Sequence, residues 1–250
     1  MGAGRIDDGY VLGVLGGLGP RASAEFLKTI YEYSPHEREQ QAPKVVLYSD
    51  PSIPDRTDAL LSGSRAELLG RLTEVLYRLC GVPVSEVVIC CVTAHALLGE
   101  LPPELRGKIV SLVELALAET VERRERQLLV CTNGARRLEI FQRHELWERA
   151  REFVALPDDE DQRAVHELIY RIKGNDPVSL LAPALESLLS KYGADSFIAG
   201  CTEIHLLSKY FAGPGGGDGR PGCIDPLTTV ARLLNRRAGA SRLAPEALPA

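Results

Sequence analysis

Short apolar runs alternate along this chain with segments whose apolar residues recur every three to four positions. Residues 10–15, 44–49, 86–91, 108–110, 127–131 and 196–199 read as strands, and their nearly unbroken apolar character is that of parallel strands buried on both faces. Amphipathic spacing predicts helices over 21–33, 65–79, 112–126, 136–151, 161–172, 177–192 and 227–236. A glycine-rich turn at 16–20 joins the first strand to the first helix, and a Pro- and Asp-rich stretch at 50–58 reads as a loop. Cys223 falls in a late strand. Alternation of this kind implies an α/β fold, with parallel sheets wound right-handedly and helices outside.

The pattern divides into two comparable parts, read as two Rossmann-like lobes related by a pseudo-twofold, with the active site between them. Residues 1–103 and 210–250 are expected to form the first lobe and 104–209 the second. The boundary lies near Pro102-Pro103, and the chain returns to the first lobe after about Tyr210. Residues 213–222 (GPGGGDGRPG) read as a flexible surface loop, and the residues after Arg237 as a loosely held tail.

Composition narrows the function classes. The 250 residues are 45% apolar and 25% charged, ordinary for a soluble globular protein. A net charge of −5, with basic and acidic residues interspersed, gives no footprint for nucleic acid. No apolar run reaches the length of a membrane span, and the first residues carry no signal-peptide core, so a cytoplasmic address is expected. In that compartment the six cysteines are expected as free thiols. No Cys or His spacing suits zinc, so no metal is expected. Cys80 and Cys223 read as small buried hydrophobes.

Two of the cysteines stand in like places. Cys91 and Cys201 each follow an apolar strand and precede a segment able to start a helix. The carboxyl end of a strand is where an α/β fold places its chemistry, and the amides of a following helix favour a thiolate. Two such thiols suggest an acid/base pair. Gly17 and Gly19, in Gly16-Gly17-Leu18-Gly19-Pro20, allow backbone to approach an anion. The spacing is not that of a dinucleotide or P-loop site, so a small carboxylate fits better; a plain tight turn explains the motif equally well. Thr93 and Thr202 suit either a substrate hydrogen bond or helix capping. Glu203 suits orientation of a group in the site or the helix N-terminus. His95 and His205 fall one turn further on and read mainly as satisfied interface histidines.

Six segments, in order over about residues 10–236, resemble the aspartate/glutamate racemase family, the cofactor-independent amino-acid racemases. The aspartate racemase branch is the more similar. Gly16 to Ser23 resembles its glycine loop, and Ser49-Asp50-Pro51-Ser52-Ile53-Pro54-Asp55-Arg56-Thr57 its serine, proline and arginine loop. Cys91-Val92-Thr93-Ala94-His95 resembles the first catalytic segment, and Gly200-Cys201-Thr202-Glu203 matches the second. Ile169 to Gly174 resembles the lysine segment, and Ile224-Asp225-Pro226 the last strand and helix start.

The resemblance implies racemisation of an amino acid, aspartate foremost, with Cys91 and Cys201 exchanging the roles of base and acid and no cofactor. It implies a small-molecule amino acid as partner and a homodimer. Arg56 and Lys173 are implied as cations near the thiols, Thr132 as a substrate contact and Cys131 as lining. Val92 stands where the family usually has asparagine and Cys90 where proline is common, which leaves the substrate's identity open. Glutamate, an unusual amino acid, decarboxylation or isomerisation of a dicarboxylate, and a non-catalytic amino-acid-binding role are the alternatives.

Overall fold

The computed structural model describes residues 9–34, 36, 38–213 and 220–236. Strands β1 (Val11–Gly16), β2 (Lys44–Ser49) and β3 (Glu86–Ile89) form one parallel sheet in the order β2-β1-β3. Strands β4 (Gln127–Val130), β5 (Val154–Ala155), β6 (Ser196–Ala199) and β7 (Gly222–Ile224) form a second parallel sheet, ordered β5-β4-β6-β7. The helices are α1 (Pro20–Glu32), α2 (Arg56–Ser62), α3 (Arg65–Cys80), α4 (Pro103–Arg106), α5 (Leu112–Arg123) and α6 (Asn133–Arg137). They continue with α7 (Trp147–Ala150), α8 (Asp159–Lys173), α9 (Val178–Tyr192), α10 (Ile204–Ala212) and α11 (Pro226–Arg236). None of these is long and apolar enough to cross a membrane.

The two-residue period of the strands sorts their side chains into layers. Leu12 and Val14 of β1 and Val88 of β3 join Leu129, Ile198 and Ile224 of the second sheet in one central cluster, filled by Phe26 and Ile30 of α1 and Leu112 and Leu115 of α5. The alternate residues Leu15, Val87 and Ile89 face an outer cluster with Leu68, Leu72 and Leu76 of α3. Leu128, Val130 and Phe197 face another, built with Val165, Leu168, Leu185 and Leu189 of α8 and α9. Both sheets therefore share one core, and each full burial of a Leu or Phe contributes about 2 kcal/mol to it.

Four elements depart from the sequence reading. Strand β7 does not complete the first sheet; it pairs with β6, Ile198 opposite Ile224, and places Ile224 in the central cluster. After it, α11 packs against both α1 and α5, so the expected return of 210–250 to the first lobe fails for the strand. The loop expected at 50–58 contains the start of α2, where the Asp55 side chain accepts from the amides of Thr57 and Asp58. The helix expected over 136–151 is broken into α6 and α7, with Glu139 in the left-handed region (φ 53) that helix cannot continue through. Residues 108–110 make only a single parallel bridge, between Ile109 and Val87. The middle of the expected 213–222 loop and the tail after Arg237 lie outside the described residues.

Candidate active site

The carboxyl ends of β1, β3 and β6 deliver the chemistry. Beyond β1 the chain turns at Gly17, whose φ of 86° and position against the Asp50 backbone exclude any side chain: a Cβ there would lie 2.3 Å from Asp50 atoms. Gly19 lies against another group. A Cβ on it would come within 2.2 Å of Glu203 Oε1, so the loop is shaped around that carboxylate.

Beyond β3 and β6 the backbone behaves alike. Cys91 N donates to Ile89 O at 2.7 Å and Gly200 N donates to Ile198 O at 2.8 Å, a tight turn that ends each strand just before or at its thiol. The segments that follow differ. Cys91 precedes a 3₁₀ stretch (Thr93–Glu100), not the α-helix expected, whereas Cys201 precedes α10. Both thiols are buried.

Arg56 is also buried and ties the loops together. Its Nη1 donates to Ile53 O (3.2 Å) and Pro54 O (3.0 Å), and its Nη2 to Leu18 O. The guanidinium stands beside the Cys91 sulfur; burial opposes its charge, but Cys91 and Asp55 outweigh burial and hold its pKa above the ordinary value. Lys173, at the end of α8, lies over the Tyr170 ring (4.2 Å) and donates to Asp55 Oδ2 at 3.3 Å. Burial works against its charge as well, and Cys201, Glu203, Asp55 and Cys91 together raise its pKa. Lys173 is thus within electrostatic reach of both thiols. Burial similarly opposes the Asp55 carboxylate, yet Lys173 and the Asp58 amide keep its pKa below the ordinary value.

Glu203 is the partner of Cys201. The thiol donates to Glu203 Oε2 at 2.9 Å, and burial, with that carboxylate second, pushes the Cys201 pKa well up. A cavity of about 360 Å³ opens onto the group, lined by Gly17, Gly19, Asp55, Arg56, Lys173 and Glu203 among others. Cys91 and Cys201 are not among its lining residues. Among the described residues, no three His, Cys, Asp or Glu side chains are grouped as metal ligands would be.

The remaining candidates are held elsewhere. Thr93 and Thr132 hydrogen-bond each other at 3.0 Å, and Thr132 caps α6 by accepting from Ala135 N. Thr202 donates to Cys90 O at 3.1 Å. Val92 is buried in the central cluster with Cys90 and Cys131, and burial raises the thiol pKa of both cysteines, to about 12 for Cys131. His95 accepts from Leu112 N and donates from Nδ1 to Cys91 O (3.0 Å), with its pKa lowered by burial to about 4. Cys80 and Cys223, expected as buried, are half-buried. Sequence reasoning missed Asp55 and Tyr170 beside Lys173; an Asp preceding a helix start was the available signal for the first, and nothing marked the second.

Comparison with known proteins finds one family and a set of related folds. The family model described as Asp/Glu/Hydantoin racemase matches residues 15–233. The aspartate racemase of Picrophilus torridus superposes with a TM-score of 0.76 at 22% identity, covering 92% of this chain and 95% of that one. Glutamate racemase from Francisella tularensis in complex with D-glutamate has a TM-score of 0.62 at 14% identity, covering 97% and 86%. Allantoin racemase from Klebsiella pneumoniae has 0.53 at 14%, covering 96% of each chain. At these identities the likeness to the three structures is one of fold.

Proposed function

The chain belongs to the Asp/Glu/Hydantoin racemase family, and from that premise we propose that it racemises a free amino acid, aspartate foremost, with Cys91 and Cys201 as the proton-transferring pair. One thiolate removes the α-proton from one face of the substrate and the opposite thiol returns a proton to the other. The roles exchange when the other enantiomer is bound. We take the enzyme to act without a cofactor, as a cytoplasmic homodimer. Lys173 and the glycine loop would neutralise the substrate carboxylate and the charge that develops on deprotonation.

The observation that carries this reading is the position of Lys173, on the cavity wall and within the electrostatic reach of both thiols. The test is a panel of L- and D-amino acids incubated with the protein and resolved by chiral chromatography. D-Aspartate appearing from L-aspartate, and the reverse, is expected. No inversion of any amino acid would overturn the reading, and inversion of another amino acid alone would reassign the substrate.

A further inference from the structure

Two buried polar atoms belonging to residues of the cavity wall lack a hydrogen-bond partner, Arg56 Nε and Glu203 Oε1. One is a donor and the other an acceptor. Buried polar atoms are rarely left so, and both would be completed by one ligand carrying a carboxylate and an ammonium group. Glu203 is fixed for this purpose. Its Oε2 receives the Cys201 thiol at 2.9 Å, which turns Oε1 toward Gly19, and the glycine leaves the space a side chain would fill. Residue 92 can supply no such acceptor, because Val92 is apolar and packed in the central cluster.

We propose that Glu203 Oε1 accepts the substrate's α-ammonium group, next to the thiol that its other oxygen holds. The assignment rests on the amino-acid racemase reading and narrows it. The substrate then carries a free, charged amino group, and 2-hydroxy acids and N-acylated amino acids are poor ligands.

The test is calorimetric titration of the full-length protein with L-aspartate and with L-malate, its hydroxy counterpart. Wild type is expected to prefer aspartate by tenfold or more. Glu203→Gln should lose at least tenfold in aspartate affinity and under twofold in malate affinity, so that the preference vanishes. Gly19→Ala, whose Cβ would fall 2.2 Å from Oε1, provides an independent variant that should also lose the preference. Persistence of the preference in Glu203→Gln, or equal weakening of both ligands, overturns the assignment and leaves the racemase reading intact. Wild-type protein that binds neither aspartate nor any other amino acid overturns that reading, and the assignment with it.

Discussion

Cys91 and Cys201 follow strands that end in the same tight turn, yet one stands beside a guanidinium and the other donates to a carboxylate. The Cys91 side is held by Arg56, which bridges three backbone carbonyls, and by His95, which fills the gap between Cys91 O and Leu112 N. On the Cys201 side, Glu203 is followed within α10 by His205, which joins Asp225 Oδ2 (2.6 Å) to the Thr29 hydroxyl (2.9 Å) deep in the core. Equivalent positions in two sheets have thus been given opposite neighbouring charges. Burial and the Glu203 carboxylate together hold the Cys201 thiol protonated, as the proton donor of the proposed pair has to be.

The largest test of the comparison is to remove either thiol. Cys91→Ala and Cys201→Ala should each lower the rate of inversion roughly 1,000-fold, the scale of general acid–base catalysis. If one variant keeps substantial turnover in chiral chromatography, the two thiols are not an equal pair. Next is Arg56→Met, which leaves Leu18 O, Ile53 O and Pro54 O without their donor. At about 1 kcal/mol for each unsatisfied acceptor, a loss of about 3 kcal/mol is expected from urea unfolding. A change well under 1 kcal/mol would show that Arg56 does not tie the loops together.

A smaller effect is expected across the Cys201 side in acid. Burial opposes the Asp225 charge, but His205 and Thr228 outweigh it and lower its pKa from 3.8 to about 2. Because the folded pKa is depressed, the carboxylate contributes its stability above about pH 4, and the contribution fades as pH falls toward 2. The shift corresponds to about 2 kcal/mol. Asp225→Asn should abolish that acid-dependent portion in unfolding curves taken between pH 2 and 5; an unchanged slope would remove Asp225 from the account. The smallest effect concerns ionisation alone. Glu203 raises the Cys201 pKa after burial does, so Glu203→Gln should move alkylation of Cys201, followed by peptide mass spectrometry, to lower pH. Movement to higher pH would contradict the charge assignment.

The parallel strands were legible because buried parallel strands are written as local apolar runs, and residues 196–199 carry that signal in full; residues 44–49 carry it too, although β2 lies at the edge of its sheet and is only half-buried. The thiols, the glycine loop, Arg56 and Lys173 were legible as motifs. What the residues do to one another was not. Arg56 read as a cation near the thiols, and the structure commits most of its donors to backbone carbonyls 2 to 38 positions away. Val92 read as a departure within the substrate site and is placed in the shared core with Cys90, whereas Cys91 joins the outer cluster packed on α3. Strand β7 was assigned to the wrong sheet because pairing between elements far apart in sequence leaves no local trace.

In the proposed mechanism, protons reach Cα from two opposed thiols. Racemisation in D₂O, followed by NMR at Cα, reads that transfer at the reacting carbon. Wild-type protein should place solvent deuterium at Cα of both enantiomers, starting from either one. Cys91→Ala and Cys201→Ala should form the opposite enantiomer roughly 1,000-fold more slowly, and any residual deuterium should enter one enantiomer in the first variant and the other in the second. Full inversion with deuterium uptake by the Cys201→Ala protein would contradict the claim.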